Sequence, residues 1–290
     1  MENKINVEQI QKAQKITSII NKIIVYTFLC FMAIIVLIPF YWMINTAFKS
    51  SNEVLQFPPT LFPNTIVWEN FTHVLTTSSF ARYLGNTVFV GVISTICTII
   101  TTTLGAFAFS RLAFKGQNLL FSILLATMMI PGEMFVITNY ITVSNFGWLN
   151  SYQVLIVPFV VSIFYIFLLR QSFKQIPNEL YYAAKVDGTG DFKYLIKVMI
   201  PIAKPTIITI IILDLMGAWN SYIWPNLVNE AEYKLISNWM RDSFTDTLNG
   251  ISQVNYQMMS SFIVTMPLFL VFIFCRKFIM QGVSRSGIKG

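Results

Sequence analysis

Long stretches without a single Asp, Glu, Lys, Arg or His recur along the chain. Ile23 to Phe48 is one and Tyr83 to Ser110 another; residues 134–169 and 247–275 are two more. The hydrocarbon core of a bilayer is about 30 Å thick and a helix rises 1.5 Å per residue, so about 20 apolar residues cross it. At that depth only a helix or a closed barrel satisfies its own backbone. The pattern predicts an all-α integral membrane protein with six transmembrane helices, near 23–45, 85–109, 118–141, 152–170, 205–227 and 260–280. The uncharged run 134–169 is cut by the turn-forming, interfacial stretch Ser144 to Ser151. The third span contains Glu133 and the fifth Asp214.

The polar remainder falls between the spans. Residues 1–22 read as a basic, helical tail. The first span and the loop after it, with Phe57-Pro58-Pro59 and Pro63 as turn markers, take up 23–81. A core follows over 82–281, containing the long loop 171–204 and an acidic segment 228–258 with Glu230, Glu232, Asp242 and Asp246. Residues 282–290 form a short tail. No internal repeat or low-complexity segment is visible.

Composition agrees: 55% of residues are hydrophobic and 11% charged, against about 25% charged in a soluble domain. With the N-terminus inside, the inner segments hold Lys4, Lys12, Lys15, Lys22, Arg111, Lys115, Arg170, Lys174, Lys185, Lys193, Lys197, Lys204, Arg276, Lys277, Arg285 and Lys289. The outer segments hold only Lys49, Arg82, Lys234 and Arg241. This asymmetry predicts both termini in the cytoplasm. It also accounts for the net charge of +7 as membrane orientation, without nucleic acid. Cys30, Cys97 and Cys275 read as buried apolar residues, neither disulfides nor metal ligands. The N-terminus does not read as a cleavable signal, because its apolar run is long enough to span.

One inner loop has a pattern of its own. Pro177 suits the first turn of a helix, Asn178 can cap it, and Glu179 sits at the positive end of its dipole. Leu180, Ala183, Ala184 and Asp187 recur at three- and four-residue spacings and so share a face. Gly188 can stop the helix in the left-handed region. Thr189 or Asp191 can cap a second helix over 192–200, with Pro201 and Pro205 breaking into the fifth span. Two readings stand: a shaped surface that docks a protein from the water phase, or an amphipathic segment lying on lipid headgroups.

The spacing of this loop resembles the EAA motif of permease subunits of ATP-binding-cassette importers. That motif reads E-A-A, three residues, G, nine residues, I-x-L-P. Here it is Tyr182-Ala183-Ala184, Gly188, then Val198-Met199-Ile200-Pro201, with Tyr182, Val198 and Ile200 departing from it. Other segments are similar to the maltose-type carbohydrate branch of the family. They are Phe48-Lys49-Ser50-Ser51 with Glu53, Pro58-Pro59 and Glu69-Asn70-Phe71; Arg82 to Thr87; Met129 to Glu133; Trp219-Asn220-Ser221-Tyr222-Ile223-Trp224-Pro225; and Ser286 to Gly290. The resemblance implies a MetI-like permease core in a prokaryotic cytoplasmic membrane, and half of a solute path. It implies a second permease, non-identical in this branch, as well as a cytoplasmic ATPase dimer, an extracytoplasmic solute-binding protein and a carbohydrate substrate. The coupling residues would be Glu179, Leu180, Tyr182, Ala183, Ala184, Asp187, Gly188 and Pro201. ATP and Mg would belong to the ATPase. This chain has no phosphate-binding Gly-x-x-x-x-Gly-Lys-[Ser/Thr] loop and is not expected to be an enzyme or to hold a cofactor or metal.

Candidate path residues are Glu133, Tyr165, Asp214, Trp219, Asn220 and Tyr222. Ionisable groups at membrane depth face protein or water, and aromatic rings can stack on sugars. Against this stand local hydrogen bonds for the two acids and an aromatic belt at the outer interface, especially for Trp224. His73 reads as an exposed loop residue. The rival functions are an ion-coupled secondary carrier acting through Glu133 or Asp214, which would show inverted repeats, and a permease for a polyol or glycerol phosphate.

Overall fold

The computed structural model describes residues 2–76, 79–244 and 253–287, which contain helices and no strand. In chain order the helices are α1 (Glu2–Ala47), α2 (Ser51–Val54), α3 (Glu69–Thr76), α4 (Phe80–Arg111), α5 (Gln117–Thr127), α6 (Val136–Asn145), α7 (Tyr152–Ile156) and α8 (Ile163–Lys174). They continue as α9 (Asn178–Val186), α10 (Asp191–Tyr194), α11 (Ile200–Ile202), α12 (Lys204–Asn220), α13 (Ile223–Val228), α14 (Ile236–Asp242) and α15 (Val254–Gly287). Asp246 and Ile288 to Gly290 lie outside the described residues.

Gln14–Ala47, Phe80–Arg111 and Val254–Lys277 are each long and apolar enough to cross a membrane. Three bent pairs do so jointly: Gln117–Thr127 with Gly132–Asn145 at 82°, Tyr152–Phe159 with Ile163–Lys174 at 43°, and Asp191–Ile202 with Lys204–Asn220 at 81°. Counting each pair once gives six spans. Three of the expected continuous spans are therefore corrected, the fourth of the six because it bends by 43° between Phe159 and Ile163. The third breaks at Met128 to Pro131, where proline has no N–H to donate. The fifth ends at Asn220 instead of running on to 227, because Ser221 is extended and a separate helix starts at Ile223, with Pro225 in its first turn.

The chain forms two compact units. The first comprises residues 1–72 and 246–262. In it α1 is exposed along nearly all of its apolar length, as suits a helix surrounded by lipid or other apolar partners. Cys30 is exposed there and Cys97 and Cys275 are half-buried, which corrects their reading as core residues. The loop after α1 is built around Glu53. Its Oε1 accepts from the Thr60 hydroxyl at 2.7 Å and the Asn64 amide at 2.9 Å. Lys49 donates to the Thr60 carbonyl, and the Asn70 amide donates to the carbonyls of Ala47 and Lys49 at 2.8 Å each. The polar residues of this segment thus hold the loop's own backbone.

The second unit comprises residues 73–245 and 263–290, and α4 is its axis. One face of α4 carries Gly91, Ser94, Thr95, Thr98, Thr102 and Ala106 at three- and four-residue spacings, all buried. The other carries exposed Val88, Val92, Ile96, Ile100 and Leu104. Small residues let helices approach closely where lipid supplies no hydrophobic drive. A Cβ at Gly105 would meet Ile166 of α8 at 3.1 Å, and one at Gly91 would meet Leu215 and Ala218 of α12 at 3.5–3.6 Å. The break before α8 frees carbonyls, and α4 takes them: the Thr101 hydroxyl donates to Val160 at 2.5 Å and the Thr98 hydroxyl to Phe159 at 3.5 Å. Arg170, expected to mark the inner surface, is instead buried. It donates to the Phe109 carbonyl at 2.8 Å and lies 4.0 Å over the Phe121 ring. His73 is exposed as expected, but on α3 rather than in a loop, with its ring beside Phe244.

Candidate functional site

The loop 171–204 folds into two halves of opposite character. Tyr194, Leu195, Met199 and Ala203 are 0–2% exposed and join Leu169, Phe173 and Ile210 in the core. A π-helical turn over Leu195–Met199 carries them inward. The preceding helix α9 touches this core only through Tyr181 and Ala184. Glu179, Leu180, Tyr182, Ala183, Asp187 and Gly188 are exposed, and so are Val186 and, on α10, Phe192. Ala184 therefore leaves the face it was expected to share with Leu180, Ala183 and Asp187, and turns inward. Pro201 lies in α11, directly before the 81° bend at the break between Ile202 and Lys204.

Three devices fix α9. Gly188 has φ +71°, and the Thr189 amide reaches back to the Ala184 carbonyl at 2.8 Å, closing the helix end. The Asp191 carboxylate accepts from the Tyr181 hydroxyl at 2.7 Å and pairs with Lys185 at 2.8 Å. Asp191 thus clamps the two helices together, while Gly190 takes the cap position expected of Thr189 or Asp191. At the other end Pro177 is itself the cap residue and Asn178 the first helical one, a shift of one position. The Asn178 side chain accepts from Arg111 at 2.9 Å, and the same guanidinium donates to the carbonyls of Phe173 and Ile176. Arg111 thus joins α4, α8 and α9, a role its place among the basic residues flanking the spans did not reveal. Hydrogen bonds from Lys185 and Tyr181 hold the Asp191 carboxyl below its ordinary pKa, and the hydrogen bond to Asp191 holds Lys185 above its own.

The candidate path residues do not gather into one site. Glu133 lies on an exposed 3-10 turn. The Trp219 indole donates to the Val264 carbonyl at 3.1 Å, Asn220 is exposed and bonds to its own helix at Met216, and Tyr222 lies under the Arg241 guanidinium at 4.4 Å. Tyr165 packs at the edge of the core, within electrostatic range of Asp214. Asp214 lines a cavity of about 270 Å³ with Ser94, Phe159, Ser221, Trp224 and Leu235. Its Oδ2 accepts from the Thr95 hydroxyl at 2.9 Å. Trp224, expected at the interfacial belt, is 8% exposed and donates to the Val154 carbonyl at 2.9 Å. Asp214 and the Trp224 motif were visible in the sequence; their meeting with Ser94 and Phe159 across three helices was not.

Near the start of α4, Asn86 donates to the carbonyls of Glu232 and Lys234 at 2.8 and 3.0 Å and accepts from the Tyr152 hydroxyl at 2.7 Å. Thr87 accepts the Ile236 amide at 2.7 Å. The segment leading into α14 is thus tied to the end of α4.

Residues 101–286 match the family described as the binding-protein-dependent transport system inner membrane component. The chain is 30% identical to the probable ABC transporter permease protein MG189 of Mycoplasma genitalium, over 96% of this chain and 92% of that one. It is 27% identical to the arabinooligosaccharides transport system permease protein AraQ of Halalkalibacterium halodurans, over 90% and 94%. A crystal structure of a bacterial ABC transporter involved in the import of the acidic polysaccharide alginate superposes with a TM-score of 0.78 at 25% identity, covering 89% of this chain and 96% of that one.

Proposed function

The chain belongs to the family of inner membrane components of binding-protein-dependent transport systems, and on that premise we propose that it forms half of the solute path of an ATP-driven carbohydrate importer and receives the ATPase stroke through α9. The observation that carries this is the exposure of α9. Leu180, Tyr182 and Val186 are 44%, 62% and 88% exposed, on a helix whose two ends are bonded into the body of the protein. Apolar residues displayed on so fixed a support fit a cleft in another protein better than a lipid surface, which would accept a looser segment. Glu179 and Asp187 add acceptors beside them.

The partners on this reading are a second, non-identical permease, a cytoplasmic ATPase dimer that holds ATP and Mg, and an extracytoplasmic solute-binding protein. Sugar as the solute is supported by the names of relatives such as the arabinooligosaccharide permease. Family membership disfavours the ion-coupled carrier.

Gly188→Val tests the coupling role. A Cβ at Gly188 would meet nothing within 4 Å, so the substitution acts on the backbone alone. A left-handed residue with a side chain costs about 1–2 kcal/mol, more when β-branched. The variant should insert and assemble, hydrolyse ATP, and lose most of its uptake in proteoliposomes. Uptake at the parental ratio to hydrolysis would reject the lever.

A further inference from the structure

The cavity at Asp214 has a one-sided chemistry. The carboxylate takes one hydrogen bond, from Thr95; no other described residue donates to it, and it is not sealed from solvent. The Ser94 hydroxyl donates to the Gly91 carbonyl at 3.2 Å, so with its proton committed it can offer the cavity only an acceptor. The Trp224 N–H is committed to Val154, leaving its ring and that of Phe159, 6.0 Å apart and edge-on, as apolar walls. Among the described residues lining the space, the Ser221 hydroxyl is the one left uncommitted, and none is a lysine or arginine. Its volume is near the lower end for small-molecule sites, about 300–1,000 Å³, enough for one ring of a larger solute.

Acceptors without a cation, between aromatic walls, suit a ring edged with hydroxyl donors. They oppose an anion, which needs donors or positive charge and meets a like charge a few ångströms away in a low-dielectric wall. We propose that Asp214 makes this cavity a charge filter on the path: it receives uncharged, hydroxyl-bearing sugars and turns away sugars carrying carboxylate or phosphate. Of the solutes named for the relatives, arabinooligosaccharides fit this chemistry and the acidic alginate does not. The inference rests on the chain being a solute permease, and it names the class of solute.

The filter is tested without sugar, ATP turnover or a cognate binding protein. Cys30, Cys97 and Cys275 are replaced by serine, and a single thiol is placed in the cavity by Ser221→Cys, or by Ser94→Cys should the first fail to assemble. The importer in membranes is treated with methanethiosulfonates bearing an ammonium, a methyl or a sulfonate group. Relative to a free thiol in water, the sulfonate-to-ammonium rate ratio should be at least tenfold lower in the cavity. Asp214→Asn should return it towards the free-thiol value, while Thr95→Val, which leaves the carboxylate, should keep the preference. The filter is overturned by equal rates, by a preference that survives Asp214→Asn, or by failure of even the methyl reagent to react at both positions. ATP-driven uptake of a neutral oligosaccharide, measured separately, reports on the coupling role alone, so the two readings fail independently.

Discussion

At the scale of single residues, hydroxyls and amides do what apolar packing cannot: they take up backbone groups freed by breaks in the helices. Thr101 is the clearest case, with its hydroxyl on the Val160 carbonyl where the α7–α8 span bends. Thr101→Val keeps the shape and removes the donor. It should lower stability by about 0.6–1.7 kcal/mol, the range for hydrogen bonds between membrane helices, read as a drop in the unfolding midpoint in detergent. Asn86→Ala removes three bonds at once and should make the segment 229–242 a preferred protease site while the rest of the chain stays protected. Asp214 and Gly188 were identifiable from residue type and place, the first as an acid within an apolar run, the second as a glycine ending an amphipathic turn. Arg111 and Arg170 were not. A basic residue beside an apolar run looks the same whether it meets water or bonds to carbonyls from elsewhere in the chain.

At the scale of elements, periodic features were legible in the sequence and bent ones were not. The α9–Gly188–α10 elbow could be read because three- and four-residue spacings and a left-handed glycine have local causes; the small face of α4 went unread, because within an apolar span small and large residues look alike to hydropathy. The 82° bend at Met128 to Pro131 escaped notice because an apolar run looks continuous to hydropathy even where its backbone is not helical. The elbow also makes a pH prediction. Asp191 titrates below its ordinary value, so its contribution is complete above the unfolded carboxyl pKa and is lost as pH falls through the lowered one. Lys185 titrates above its own, so its contribution is complete below the unfolded amine pKa and is lost as pH rises through the raised one. Hydrogen-exchange protection of the Thr189 amide, after correction for intrinsic rates, should therefore stay flat between about pH 5 and 9, and Asp191→Asn should lower it across that whole range. Arg111→Ala should loosen the start of α9 and reduce uptake per ATP hydrolysed, with hydrolysis itself retained.

At the scale of the molecule, the bias of lysine and arginine predicts α9 in the cytoplasm and the α13–α14 segment outside. In a chain with its own cysteines replaced, Glu232→Cys should react with a membrane-impermeant maleimide on intact cells. Val186→Cys should react only after permeabilisation, and the reverse pattern would invert the topology. Family and fold class were legible in the sequence because span length and loop spacing survive many substitutions. The two-unit organisation was not, since residues 246–262 join a unit begun by residues 1–72, and a pairing so distant in the chain leaves no local trace.

Helix α4 runs 32 residues without a proline or a break, about 48 Å at 1.5 Å per residue. Asn86 and Thr87 hold the α14 segment near its first turns, Thr95 meets Asp214 midway, and Arg111 holds α9 at its last residue. A beam with no joint passes displacement along instead of absorbing it. A push on α9 would therefore reach the Asp214 cavity and the α14 segment through one rigid rod, so that the two ends of α4 move together.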